Sequence, residues 1–78
     1  MSKDGSNKLV RMANQIAENF DYGDRDKAVA GVLDHLMRFW TMEMKRTIVD
    51  QQRQGEIGLN EIAREAVAAL AEKIGLAA

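Results

Sequence analysis

The sequence has no cysteine, no proline, a single histidine and only four aromatic side chains, Phe20, Tyr22, Phe39 and Trp40. Without cysteine there is no disulfide and no thiolate for a structural zinc or an iron–sulfur cluster. Without proline, only glycine and turn chemistry can interrupt a helix. No apolar run approaches the roughly 20 residues that span a bilayer. Residues 1–7 are polar and lack the apolar centre of a signal peptide, so a cytoplasmic protein with no membrane partner is expected. Charge of either sign is also scarce in net terms. Eleven basic and twelve acidic side chains leave −1, which gives no long-range attraction toward phosphate backbones. Nucleic acid is therefore not an expected partner.

What is present is 78 residues, enough for one small domain. A chain this short buries only about 60% of the surface its unfolded form exposes. Small domains commonly add a disulfide, a metal or a second protein surface. The first is impossible here, and the lone His35 has no thiolates beside it to make the second. Docking to another protein, or self-association in isolation, is the remaining device.

Strand-type alternation is absent and the chain reads as all-α, a compact bundle of three to four short helices. Residues 1–6 are expected to form a disordered tail and 7–76 a single helical domain. Ser6 or Asn7 can cap the first helix, whose apolar positions Leu9, Met12, Ala13, Ile16 and Phe20 recur at amphipathic spacing. The segment DYGD (21–24) is a turn, and Asp24 can cap a second helix starting near Arg25. Its inward stripe is Ala28, Val29, Val32, Leu33, Leu36, Phe39 and Trp40. Gly31 lies inside it at a cost of about 1 kcal/mol relative to alanine, which suggests that another helix backbone approaches there.

At Thr41 two readings compete. The helix can continue to Gln54, or it can stop at Trp40 with Thr41 capping a third helix from Met42. The break is the expected outcome, because one helix of about 30 residues exceeds the usual range for a small domain. The third helix carries Met44, Ile48 and Val49 inward, with Lys45, Arg46, Asp50 and Gln52 on the opposite side. Asn60 caps the last helix, with inner stripe Ile62, Ala63, Ala66, Val67, Leu70 and Ile74, and Gly75 sits where a left-handed C-terminal cap belongs.

Catalytic chemistry is thinly supplied. Ser2 and Ser6 lie in the tail, and Asp34 points about 100° around the helix from His35, so no acid–base pair forms. His35 falls between Val32 and Phe39 at the edge of the apolar stripe and reads as a structural or interface residue. A small DNA-binding or regulatory helical domain is the alternative, using Arg38, Lys45, Arg46 and Arg53 beside Trp40, with Glu43 and Asp50 diluting that patch. An interaction module is better supported. Met37, Met42 and Met44, three of five methionines, bracket Phe39 and Trp40, and methionine and tryptophan are suited to adaptable, anchored interfaces. So small a core cannot readily hold them all.

Three segments in order, KLVRMANQIAENF (8–20), AVAGVLDHLMRFWTMEMKRTI (28–48) and GEIGLNEIAREAVAAL (55–70), resemble the delta subunit of soluble NAD-dependent formate dehydrogenase. Members show a MANQIA helix start, an H-(L/I)-x-x-FW block followed by DPRMR, and a G-x-GLxPL tail. Here DPRMR is Thr41-Met42-Glu43-Met44-Lys45, which loses the proline at 42, reverses a charge at 43 and replaces the second arginine's planar fork with an ammonium. GLxPL is Gly58-Leu59-Asn60-Glu61-Ile62, also without proline. A family proline at 42 suits the first position of a helix and agrees with a break at Thr41.

The resemblance implies a non-catalytic accessory subunit, with no redox centre of its own, that supports assembly or stability of the complex. The molybdenum or tungsten pterin, iron–sulfur clusters, FMN and NAD would reside on other subunits. The implied partner is the catalytic subunit or its assembly factors. Asn14, Gln15, His35, Phe39, Trp40, Met44 and Lys45 are the expected contact surface. Neutral amides such as Asn14 and Gln15 desolvate more cheaply than charges, although a solvated helix flank would account for either singly.

Overall fold

Three of the four helices begin where the chain supplies a side-chain oxygen for an otherwise unpaired backbone N–H. The computed structural model describes residues 3–21 and 23–76, with side chains of the first helix from residue 8 onward. Among them are α1 (Lys3–Asn19), α2 (Arg25–Phe39), α3 (Met42–Gln54) and α4 (Glu61–Lys73), and no strand. Asp24 accepts from the Lys27 N–H at 3.2 Å, Thr41 from the Met44 N–H at 3.1 Å and Asn60 from the Ala63 N–H at 2.8 Å. The break at Thr41 is thus a capped corner. Trp40 and Thr41 are both extended, and the Trp40 N–H still donates to the Leu36 carbonyl.

The other termini differ in how they are made. At the end of α4, Gly75 has φ +80°, the Leu76 N–H reaches the Ala71 carbonyl at 2.8 Å and the Gly75 N–H reaches the Glu72 carbonyl at 3.2 Å. That pair of bonds is a Schellman cap, and the left-handed φ is the reason for glycine. Arg53 at the end of α3 then donates to the Leu76 carbonyl at 3.0 Å, tying the two C-terminal ends together. The start of α1 departs from the sequence reading, which placed a cap at Ser6 or Asn7 and a tail before it. The helix already runs from Lys3. Once a helix is nucleated downstream, each further residue costs only its own propensity, and Gly5 is the one poor helix former in the way. Met1 and Ser2 lie outside the described residues.

α1 and α4 each pack on all three other helices, whereas α2 and α3 barely touch after diverging at the Thr41 corner; the α2–α4 contact is the most extensive. One core joins all four. Val32 and Leu36 of α2, with Trp40 just beyond it, meet Ile48 and Val49 of α3, Ala63, Ala66, Val67 and Leu70 of α4, and Val10, Ala13 and Ala17 of α1. Each fully buried leucine, isoleucine or valine contributes about 1.5–3 kcal/mol. The predicted α1 stripe is rotated. Ala13 was expected and is sealed, but Val10 and Ala17 join it, while Leu9, Met12, Ile16 and Phe20 are only partly covered. Small residues at the centre let α1 sit close, which moves the larger ones to its flanks.

Gly31 does mark a close approach, but the neighbour is an aromatic ring and not a helix backbone. A Cβ at this position would lie 2.6 Å from Cδ1 and 2.7 Å from Cε1 of Phe20. The absence of a side chain on α2 is what lets the end of α1 lay its ring across the helix. Arg25 pairs with Glu61 at 3.0 Å and also with Glu65, linking the start of α2 to α4. All three groups are solvent-exposed, so this clamp adds little stability.

Candidate functional site

The site is built from two walls of helix. On α1, Met12, Gln15, Ile16 and Asn19 share one face over two turns. The rotation of Ala13 and Ala17 into the core leaves that face half open. From α2 come His35 and Phe39, one turn apart, joined by the adjacent Trp40 and by Met44 of α3. Together they line an open groove of about 360 Å³. No aspartate, glutamate, lysine or arginine is among these eight residues, in a chain that is 29% charged.

Phe39 is the most exposed large apolar side chain among those described, with 69% of its surface free. It is held at the rim by His35, whose ring lies 4.8 Å away centroid to centroid, tilted by 45°. With Phe39 this exposed, the tilted pair contributes at the low end for ring pairs, about 0.5 kcal/mol. Trp40, the next residue, is only 5% exposed. The corner separates them: α2 ends at Phe39, and the extended backbone of Trp40 turns its indole inward. Met37 and Met42 are also exposed, whereas Met44 is half-buried.

Five of the seven expected contact residues therefore line one groove: Gln15, His35, Phe39, Trp40 and Met44. Asn14 and Lys45 do not line it. Asn14 faces the loop before α4, donating from Nδ2 to the Gly58 carbonyl at 3.0 Å and accepting from the Asn60 N–H at 2.8 Å through Oδ1. The Asn60 side chain also donates to the Asn14 carbonyl at 3.4 Å. Of the two adjacent amides, one ties α1 to the cap of α4 and the other is exposed in the groove.

Lys45 was expected on the outer side of α3 but is 6% exposed. Its Nζ donates to the Met37 carbonyl at 3.1 Å, near the end of α2. A lysine stem packs well along apolar surface while its ammonium serves one of the carbonyls a helix end leaves unpaired.

Sequence reasoning assigned Met12 and Ile16 to the core and passed over Asn19. The detectable signal was their spacing with Gln15, which puts all four on one face. The basic residues of the alternative reading do not converge. Arg38 is paired with Asp34 at 3.0 Å, Lys45 is buried and Arg53 serves the end of α4. Asp34 is thereby engaged with Arg38 and not with His35. Among the described residues no group of three or more histidine, cysteine, aspartate or glutamate side chains is placed to hold a metal, and no helix is long and apolar enough to cross a membrane.

Comparison with curated proteins and with solved structures returns no match. A family model does match, over residues 8–67, which includes both groove walls and the Asn14–Asn60 link. With that share of the chain covered, the protein belongs to the family of the NADH-dependent formate dehydrogenase delta subunit.

Proposed function

We propose that this chain is a non-catalytic accessory subunit that docks onto the catalytic subunit of a cytoplasmic formate dehydrogenase, or onto its assembly factors, and supports assembly or stability of the complex. The observation that carries the reading is the groove lined by no aspartate, glutamate, lysine or arginine, with Phe39 standing 69% exposed at its rim. An exposed aromatic beside methionine and isoleucine is the composition of an interface anchor. Gln15, His35, Phe39 and Met44 are the contact surface, with the edge of Trp40. Asn14 and Lys45 act from behind, by holding the walls in place.

The residues present do not fit the redox groups of such an enzyme. With no cysteine there is no thiolate for an iron–sulfur cluster, and the sequence has no glycine-rich nucleotide loop. The pterin, clusters, FMN and NAD belong to the other subunits in this reading. A tagged chain purified from its native cell is the test. Recovery of the large formate dehydrogenase subunits is expected, together with a fall in assembled enzyme when the chain is deleted. Recovery of the lone polypeptide, with enzyme levels unchanged by deletion, would refute the proposal.

A further inference from the structure

We infer that the groove receives the apolar, charge-free face of a helix supplied by another subunit of the enzyme. This inference rests on the docking role proposed above and adds the chemistry of the occupant.

Three observations support it. The first is electrostatic. None of the eight lining residues is an aspartate, glutamate, lysine or arginine, so an incoming ionic side chain would be desolvated with no carboxylate, ammonium or guanidinium to pair with, a costly arrangement. Met12, Ile16, Phe39 and Met44 gain only from apolar contact.

The second concerns backbone. An extended segment would need a row of free N–H and C=O groups to pair with. Both walls are helices, α1 and α2, whose backbone groups are engaged within the helix everywhere but the terminal turns. A helix satisfies its own backbone and asks nothing of the walls. The α1 wall, Met12 to Asn19, runs about 10 Å, long enough to meet side chains from two turns of such a helix. The amides of Gln15 and Asn19, one turn apart on the rim, suit its polar edge.

The third observation argues against a second copy of this chain. A groove must be filled by something convex. Elsewhere among the described residues, the exposed large apolar side chains are Met37 and Met42. Met37 lies beside Asp34 and Lys73 and next to Arg38 in sequence, and Met42 adjoins Glu43. Apart from Phe39 at the rim itself, the described residues therefore present no charge-free ridge to offer the groove.

The test is a photo-crosslinking side chain at position 39 of the tagged protein, irradiated in the native cell, with the attached peptide identified by mass spectrometry. The expected adduct is a peptide of another subunit with apolar residues at three- and four-residue spacing and no charge on that face. Phe39→Ala should weaken retention of the large subunits about 30-fold, the scale of an anchor residue, while the melting temperature falls by no more than about 4 °C. Gln15→Lys should weaken it as well. An adduct to a second copy, or to a charged or extended segment, overturns the inference. So does the absence of any adduct from position 39 while the wild-type chain still purifies with the complex, a result that leaves the docking role intact. Failure of the wild-type chain to accompany the complex at all overturns this inference, and overturns the docking role as well when deletion leaves enzyme levels unchanged.

Discussion

Replacing Asn14 with alanine should unsettle the start of a helix more than forty residues away. The substitution removes two bonds, from Nδ2 to the Gly58 carbonyl and from the Asn60 N–H to Oδ1. The first is exposed, and water replaces it at small cost. The second is partly buried and belongs to the residue that caps α4, so its loss leaves an unpaired donor worth about 1–3 kcal/mol. With the weaker bond included, the total is about 2–3 kcal/mol. A chain of this size has roughly 4–12 kcal/mol in all, so the change is a large fraction. It corresponds to a fall in melting temperature of roughly 8–24 °C. Thermal unfolding followed by far-ultraviolet circular dichroism measures this, with Gln15→Ala as the comparison. Gln15 is exposed, and its loss should stay within about 0.5 kcal/mol. Asn14→Asp should fall between them, since it keeps the acceptor for Asn60 but turns an oxygen toward the Gly58 carbonyl. Equal stability of the two alanine variants would refute the assignment of Asn14 as the link between α1 and α4.

Further expectations follow from single contacts. Gly31→Ala should destabilise by about 1–3 kcal/mol, the scale of overpacking, despite a helix-propensity gain of about 1 kcal/mol; a rise in the urea midpoint would show that the Phe20 ring moves aside freely. Lys45→Met keeps the packed stem but removes the bond to the Met37 carbonyl, and urea unfolding should report a loss of about 1 kcal/mol, with no loss showing the bond to be incidental. Met42→Pro, at the first position of α3 behind an extended Thr41, should raise the melting temperature by a few degrees, consistent with about 0.4–1 kcal/mol. Trp40→Ala should cost about 3–5 kcal/mol and Phe39→Ala about 0.5 kcal/mol or less; similar losses from the two would mean that the core does not end between them.

Much of the fold was legible because helix boundaries are local chemistry. Asp24, Thr41 and Asn60 each cap the helix that follows, and all three stand out as short polar residues before a periodic apolar run. The long-range contacts were not legible. Asn14 and its partners are 44 and 46 residues apart, and nothing in their spacing announces the pairing. A lysine on an amphipathic helix reads as solvated, and only the angle between α2 and α3 brings Lys45 to a carbonyl. The groove was half visible. His35 and Phe39 were singled out from their place on α2, but Met12 and Ile16 looked like core, because the alanines that displace them are indistinct in a periodicity argument. The adjacent rings Phe39 and Trp40 could be told apart only once the backbone of the corner was known.

That corner has a mechanical consequence. Thr41 secures its outgoing side, the Trp40 N–H its incoming side, and the indole is embedded in the core, while Lys45 reaches back from α3 to α2. The peptide beneath Phe39 is therefore a stiff bracket and not a hinge. A ring carried on a loose loop would have to be immobilised together with its backbone at the moment of capture. In the docking proposed above, only the two torsions of the side chain would remain to be frozen, so little of the favourable contact would be consumed by ordering.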